Sequence, residues 1–452
     1  MSHRPADRPV GSETVTADGP SRAPLPEGTI PVAVALLIAG VATYAFFVIG
    51  NDAVGGDEAF EPIVSLWFAT FALAPGFFLP LEQELGRALA HRRAIGQGTR
   101  PIVVKVVRLA AVLVAAIVTV ILIASPLITS GYFDGEWIML FALVGAFVAY
   151  APAHLARGIC SGSGRFRHYA LIMGSDGIVR IALCVVLAAI GITAIGAYAF
   201  AVAASPLVAV AWVWRRGGLV TDDGPPASWK EVAPNLGWLL VGSVFAAMLL
   251  NAGPITASLL ADESEDAFVT RFSYGVLLAR IPLFLFQAVQ AALLPRLSRL
   301  AARGEFDEFR AGLTRLLLLV VGVAVIGTSG AFVLGPWAIE FVYDAELGSR
   351  TLAALALASG VYMMALALAQ AVIALQGHVL VALGWGLAVA SFVIVTWAAG
   401  PELFRRIEYG LLASSITAVV VFGLALRQRL ASGAVPDQGS VMEAITDLPL
   451  EG

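Results

Sequence analysis

Residues 57–87 read DEAFEPIVSLWFATFALAPGFFLPLEQELGR, and residues 265–296 read EDAFVTRFSYGVLLARIPLFLFQAVQAALLPR. Each stretch opens with an acidic pair and Ala-Phe. Each then runs through apolar sequence to a proline, Pro75 or Pro282, before an aromatic cluster. Each closes at an arginine, Arg87 or Arg296, followed by a basic loop and another apolar span. The copies lie six spans apart, and an even number of spans gives both the same orientation. The chain therefore reads as a parallel repeat, with two six-helix lobes related by an axis along the membrane normal. The alternative, chance likeness between two apolar segments, leaves the shared order of acid, proline, aromatics and arginine unexplained.

Working outward, a membrane-spanning helix needs about 20 apolar residues. Such segments occupy 30–50, 62–85, 107–129, 136–157, 170–192, 194–214, 235–260, 268–294, 313–334, 351–376, 379–399 and 407–427. Helices 5 and 6 are separated only by Gly191 to Gly196. The fold class is an all-α polytopic membrane protein of about 12 spans, in two parallel six-helix lobes around a central cavity. Residues 1–27 form a polar, proline-bearing tail with the composition of disorder and no apolar core of a signal peptide. The N-lobe covers 28–214, a cytoplasmic linker 215–234 (RRGGLVTDDGPPASWKEVAP), the C-lobe 235–428, and a second disordered tail 429–452.

Composition agrees with the span count. Hydrophobic residues make up 59% and charged residues 13%, where a soluble domain carries about 25% charge. The distribution of charge is more informative than the net −4. Most of the 28 lysines and arginines fall in alternate connections: around Arg87, Arg92, Arg93, Arg100, Lys105 and Arg108, around Arg157 and Arg165, in the linker, and from Arg296 to Arg315. The intervening connections are acidic: Asp52, Asp57, Glu58 and Glu61 in the first, Asp262, Glu263, Glu265 and Asp266 in the fourth. The positive-inside rule then places both termini in the cytoplasm, and the near-exclusive use of Arg, with Lys only at Lys105 and Lys230, suggests a bacterial plasma membrane. Basic loops of this kind also hold anionic lipid headgroups; they do not indicate nucleic acid. Trp67, Trp137, Trp238, Trp337 and Trp397 fall near span ends, as interfacial tryptophans do.

Several chemistries find no support. Cys160 and Cys184 are the only cysteines and share no redox or metal spacing, and there is no metal cluster. No phosphate-binding P-loop and no nucleophile elbow occurs, so no ATPase, hydrolase or cofactor is implied. An integral-membrane glycosyltransferase would carry acidic catalytic residues in a sizeable loop, and the loops here are short and basic.

The segments LPLEQELGRALAHRRAIGQG (79–98) and ARGICSGSGRFRHYALIMGSDGIVRIAL (156–183) resemble the end of helix 2 and the helix 4–helix 5 junction of the polysaccharide flippases. Those flippases are a branch of the multidrug, oligosaccharidyl-lipid and polysaccharide exporter superfamily. The likeness extends diffusely over residues 30–427. It implies a V-shaped cavity between lobes, alternating access, a lipid-linked saccharide as substrate, and glycan-assembly enzymes as partners. Two departures qualify it. Lipid II flippases usually have more helices than the twelve counted here. Cation-coupled drug exporters often carry an acid in helix 1, and PVAVALLIAGVATYAFFVIG (31–50) has none. An ion-coupled small-molecule exporter remains the alternative, as does a membrane scaffold without transport. The major facilitator class has the same architecture but typically reads GxxxDRxGR after helix 2; here Ala90 stands where its aspartate is expected.

Charges at bilayer depth cost about 2.5–3.5 kcal/mol on the insertion scale and usually face a partner or a cavity. Arg280 lies near the middle of 268–294, on one polar stripe with Ser273 and Gln287. Its planar fork suits a phosphate or diphosphate; the other reading is that it caps carbonyls freed by Pro282 or pairs with a carboxylate. Arg180 follows Asp176 by one turn, so the two read as an internal ion pair or as a cationic wall facing Arg280. Asn251 and Pro254 mark a bend or hinge in helix 7. His154 and Arg157 read as interfacial anchors, and Glu82 and Glu84 as inner-surface partners of Arg87.

The topology is open to labelling. Cysteines substituted for Glu58, Asp266 and Glu402 should react with an impermeant thiol reagent outside intact cells, and cysteines for Arg93, Gly224 and Gly304 should not. Labelling of the second group overturns the twelve-helix topology.

Overall fold

The computed structural model describes residues 29–232, 236–283 and 303–431, with residues 286, 297, 300 and 301. Helix α1 (Thr29–Val54) turns through Gly55 and Gly56 into α2 (Asp57–Ala94). Both glycines have φ near +108°, at 109° and 107°, a conformation that side chains with a Cβ rarely adopt, so the two helices form a hairpin. Helix α3 (Arg100–Ile123) breaks at Ala124 into the short α4 (Ser125–Tyr132), and Pro126 opens the new helix. Helices α5 (Trp137–Gly162), α6 (Phe166–Ala189) and α7 (Ile195–Arg215) complete the first lobe. After the one-turn α8 (Trp229–Val232) come α9 (Leu236–Leu260), α10 (Asp266–Ala279), α11 (Phe306–Tyr343), α12 (Ser349–Ala374), α13 (His378–Ala398) and α14 (Leu403–Ala431). Among the described residues there is no strand, and eleven helices are long and apolar enough to cross a membrane.

The two-lobe expectation holds. In each lobe the first helix packs on the fifth, the second and third on the fourth, and the fourth and fifth on the sixth. The repeat is visible at its acids: α2 begins at Asp57 and α10 at Asp266. The copies then diverge. Helix α2 runs unbroken through Pro62, Pro75 and Pro80. Helix α10 ends at Ala279, where the Arg280 amide bonds to the Leu277 carbonyl one residue too early for an α-helix, at 3.1 Å, ahead of Pro282. The expected continuous span 268–294 is therefore broken at Arg280, and its end lies outside the described residues. Helices 5 and 6 are cleanly separate, across Gly191 with φ 75°.

Three expectations about position change. Glu61 is not in an exposed connection: α2 starts at Asp57, which puts Glu61 one turn inside the helix and only 2% exposed. Trp67 is buried against Phe46, Phe47 and Phe71 and is no interfacial anchor, whereas Trp137, Trp238, Trp337 and Trp397 are exposed. Residues 429–431, assigned to the tail, continue α14; tails 1–27 and 432–452 lie outside the described residues.

The linker is also more than a boundary. It lies along the basic end of the first lobe. Arg92 is buried and donates to the carbonyls of Pro225 (2.7 Å), Pro226 (3.1 Å) and Gly98 (3.2 Å), and pairs with Glu231 at 2.9 Å. Arg165 donates to the carbonyls of Gly218 and Val220, and Arg100 pairs with Asp223. Ser228 and Glu231 close a reciprocal cap around α8. Partial burial alone would raise the Glu231 carboxyl, but the hydrogen bonds from Ser228 and Arg92 outweigh it and hold it below its ordinary value. Several cations of this basic face thus hold the linker.

Helices α2 and α5 approach closely through Gly86, Gly158 and Gly162. A Cβ on Gly162 would stand 2.5 Å from the Gly86 carbonyl oxygen and 2.7 Å from the Leu89 Cβ. Gly162→Ala should therefore destabilise the fold by about 1–3 kcal/mol through overpacking, read as a lower unfolding temperature in detergent. Unchanged melting would mean that the two helices do not pack this closely.

Candidate functional site at the lobe seam

Helix α2 is the wall shared by the two lobes. It packs on α5 in its own lobe and on α9 and α10 of the other. Helices α2 and α9 run side by side in opposite directions, with Ser65 beside Ser258, Phe71 beside Asn251 and Gly76 beside Val244.

Prolines determine the polar chemistry of this seam. A proline inside a helix has no N–H, so the carbonyl four residues earlier loses its donor. Pro254 frees the Leu250 carbonyl, and Arg280 donates to it through Nη2. Pro75 frees the Phe71 carbonyl, and the Asn251 amide donates to it at 3.4 Å and to Ala247 at 2.9 Å. Asn251 in turn accepts from Arg280 Nη1 at 3.0 Å. A polar chain thus runs from Arg280 through Asn251 to α2. Arg280 does cap a proline-freed carbonyl, but the proline is Pro254 and not Pro282. Helix α9 stays continuous through Pro254, so the static arrangement shows no hinge there.

Arg280 is 7% exposed and stacks on the Phe68 ring at 5.4 Å. Among the described residues, Arg92, Arg180 and Arg280 are the buried arginines. Arg92 has Glu231 and Arg180 has Asp176, whereas no carboxylate among the described residues pairs with Arg280. Beside it is a cavity of about 30 Å³, lined by Leu250, Val276, Ser359, Tyr362 and Ser415 among others. That holds little more than a water, so the site is collapsed in this conformation. Ser273, two turns away on α10, is fully buried and its hydroxyl has no partner among the described residues. Gln287 lies outside the described residues.

On the other side of α2, Arg180 pairs with Asp176 at 2.7 Å and reaches Tyr150 at 3.4 Å, and Ser205 donates to Asp176 at 2.5 Å. The guanidinium stacks over Trp67 at 4.7 Å and Phe71 at 5.4 Å. Both arginines therefore press on aromatic rings of α2, Arg180 from the first lobe and Arg280 from the second, and they do not meet.

A further cluster escaped the sequence reading. Glu82 does not serve Arg87, which pairs with Glu84 at 2.9 Å. Glu82 is buried and binds His154 at 2.8 Å, Arg157 at 2.9 Å and the Tyr169 hydroxyl at 2.9 Å. His154, buried, and Arg157, half-buried, are thus partners of a carboxylate and not interfacial anchors. The sequence signal was thin: a His-x-x-Arg on one helix and one of two neighbouring glutamates, Glu82 and Glu84, on another.

No family model matches the chain. Two Mycobacterium tuberculosis proteins, Rv1510 and MT1558/MT1560, both described as uncharacterized, are 24% identical over 447 residues, covering 94% of this chain and 97% of each relative. Among solved structures, a mutant of the Vibrio cholerae MATE transporter VcmN shows a TM-score of 0.65 at 15% identity, over 90% of this chain and 97% of that one. An inward-facing multidrug resistance MATE family transporter of the MOP superfamily gives 0.67 at 15% identity, over 91% and 99%. An outward-facing one gives 0.62 at 14% identity, over 90% and 96%. The fold is the two-lobed fold of MATE transporters.

The Glu82 cluster generates a stability test. Glu82→Gln leaves the half-buried Arg157 without its counter-charge and should cost at most about 3–5 kcal/mol, read by thermal unfolding. Adding Arg157→Gln should recover part of that loss. A single variant as stable as wild type would mean that Glu82 and Arg157 are not paired.

Proposed function

We propose that this chain moves a lipid-linked saccharide, or a related amphiphilic anion, from the inner to the outer leaflet of a bacterial plasma membrane by alternating access. Its basic end and both termini face the cytoplasm in this reading, and membrane lipids surround it. The observation that carries the reading is Arg280: a guanidinium buried at the lobe seam, hydrogen-bonded on one side and with no carboxylate among the described residues. A charge left uncompensated at such depth is costly and favours an anionic partner. The planar fork matches a phosphate or diphosphate, the anionic group of a lipid-linked sugar. The 30 Å³ cavity beside it must widen to admit a head group, and rocking of the two lobes about α2 and α9 supplies that opening.

Ion-coupled export of a small molecule is the second reading. The multidrug transporters that share the fold favour it. The absence of acid from α1 before its exposed last turn, where Asp52 sits, does not.

A reconstituted flipping assay, normalised to folded protein, tests the proposal. A charge-assisted contact contributes roughly 1.5–3 kcal/mol, or one to two powers of ten in binding. Arg280→Ala should nearly abolish transport. Arg280→Lys should reduce it clearly, because an ammonium lacks the fork. If Arg280 only staples α9 to α10, Arg280→Ala will melt earlier while each folded molecule transports at the wild-type rate, and the proposal fails.

A further inference from the structure

At the acidic end of the molecule the two lobes are joined by a compact set of contacts. Asp57 at the start of α2 pairs with Arg271 of α10 at 2.8 Å, accepts from Thr270 through its carbonyl at 2.8 Å, and lies 3.4 Å from the Tyr274 hydroxyl. One turn deeper, Glu61 is 2% exposed. Its Oε1 is 2.6 Å from Ser65 Oγ, which is 2.6 Å from Ser258 Oγ of α9 in the other lobe. Its Oε2 has no hydrogen-bond partner among the described residues. Tyr132 of α4 donates to the Ser65 carbonyl. Two acidic groups, Asp134 after α4 and Asp266 of α10, act on Glu61 electrostatically. The cation of this region, Arg271, is engaged with Asp57.

A carboxylate so placed has lost water on both oxygens and gained no cation among the described residues, while a neutral carboxylic acid meets neither penalty. The hydroxyl chain accommodates both forms. Ser65 has one proton and two oxygen neighbours. With Glu61 ionised, Ser65 donates to Glu61 and Ser258 donates to Ser65. With Glu61 protonated, the acid donates to Ser65, and Ser65 donates onward to Ser258 across the seam. We propose that Glu61 is a proton-binding site that latches the acidic ends of the two lobes together. Closing the seam takes a proton from water onto the carboxylate; opening it hydrates the carboxylate and returns the proton to water. The sign follows from linkage: the closed seam holds one proton more than the open one, so it gains as pH falls and loses as pH rises. One group changes the closed-to-open ratio by at most about tenfold per pH unit. The orientation proposed above exposes this latch to the outer solution, but the inference is independent of what is carried.

The full-length chain in nanodiscs, spin-labelled at Glu58→Cys and Asp262→Cys, reads the seam directly. Both positions are exposed, and the native cysteines are buried. The short-distance population should rise as pH falls, with a one-proton slope. Glu61→Gln, a permanent mimic of the protonated acid, should stay short at every pH. Asp57→Asn should lower the closed fraction and keep the pH dependence. Ser258→Ala keeps the carboxyl and breaks the chain, so its midpoint should move to lower pH. The inference is overturned if wild type shows no pH dependence, if Glu61→Gln follows the wild-type profile, or if Asp57→Asn abolishes that profile. If Glu61→Gln does not fold, an unchanged midpoint in Ser258→Ala overturns it instead. A working latch with inactive flipping would refute the proposed function and leave this site standing.

Discussion

A polar group inside a bilayer must find its partner within the protein, because no water is there to supply one. Prolines make that constraint acute, since each leaves a carbonyl without its donor. Pro75 and Pro254 face one another across the seam through the carbonyls they free, and Asn251 and Arg280 are the side chains that answer them. The position of α10, its break at Arg280 and the contact between lobes all follow from that exchange. The same constraint explains the first lobe, where Asp176 answers Arg180 and Glu82 answers Arg157. Arg280 is the exception among the buried arginines described, and an exception to a strong energetic rule is where function is most reasonably sought.

Helix α2 carries both sides of this account. Its aromatic residues receive one guanidinium from each lobe, Arg180 on Trp67 and Phe71 and Arg280 on Phe68. A ring face attracts a cation without neutralising it. The two stackings therefore position the arginines against a common wall while leaving the net charge of Arg280 available. In the proposed transport cycle, movement of the second lobe along α2 changes what Arg280 faces and couples anion binding to the conformational step.

The architecture was legible in the sequence because length and hydropathy determine it. A run such as 351–376 can only cross a membrane, and the alternation of basic and acidic connections orders the ends. The Asp176–Arg180 pair was legible because one helix turn separates its members. The break at Arg280 was not, since Pro75 in the matching copy leaves its helix intact; Leu73 stands there where the second copy has Arg280, and only the fold shows that this arginine turns to the Leu250 carbonyl. The Glu82 cluster joins residues 72 to 87 positions apart on three helices, and no local pattern encodes which faces meet. Glu61 was misplaced for a related reason: an acidic run looks like a loop until burial shows that α2 begins inside it. The linker, rich in Gly and Pro, looked like a free connection, and only its carbonyls reveal that Arg92 and Arg165 hold it.

The central claim is that Arg280 offers an uncompensated charge to an anionic lipid. The most direct measurement compares binding of a short-chain isoprenyl phosphate with that of the isoprenyl alcohol of the same length, using purified wild-type protein in nanodiscs of neutral lipid. The hydrocarbon contribution is the same for both, so the difference isolates the anion. The account predicts that the phosphate binds about tenfold or more tightly than the alcohol. Equal affinity for the two would contradict it.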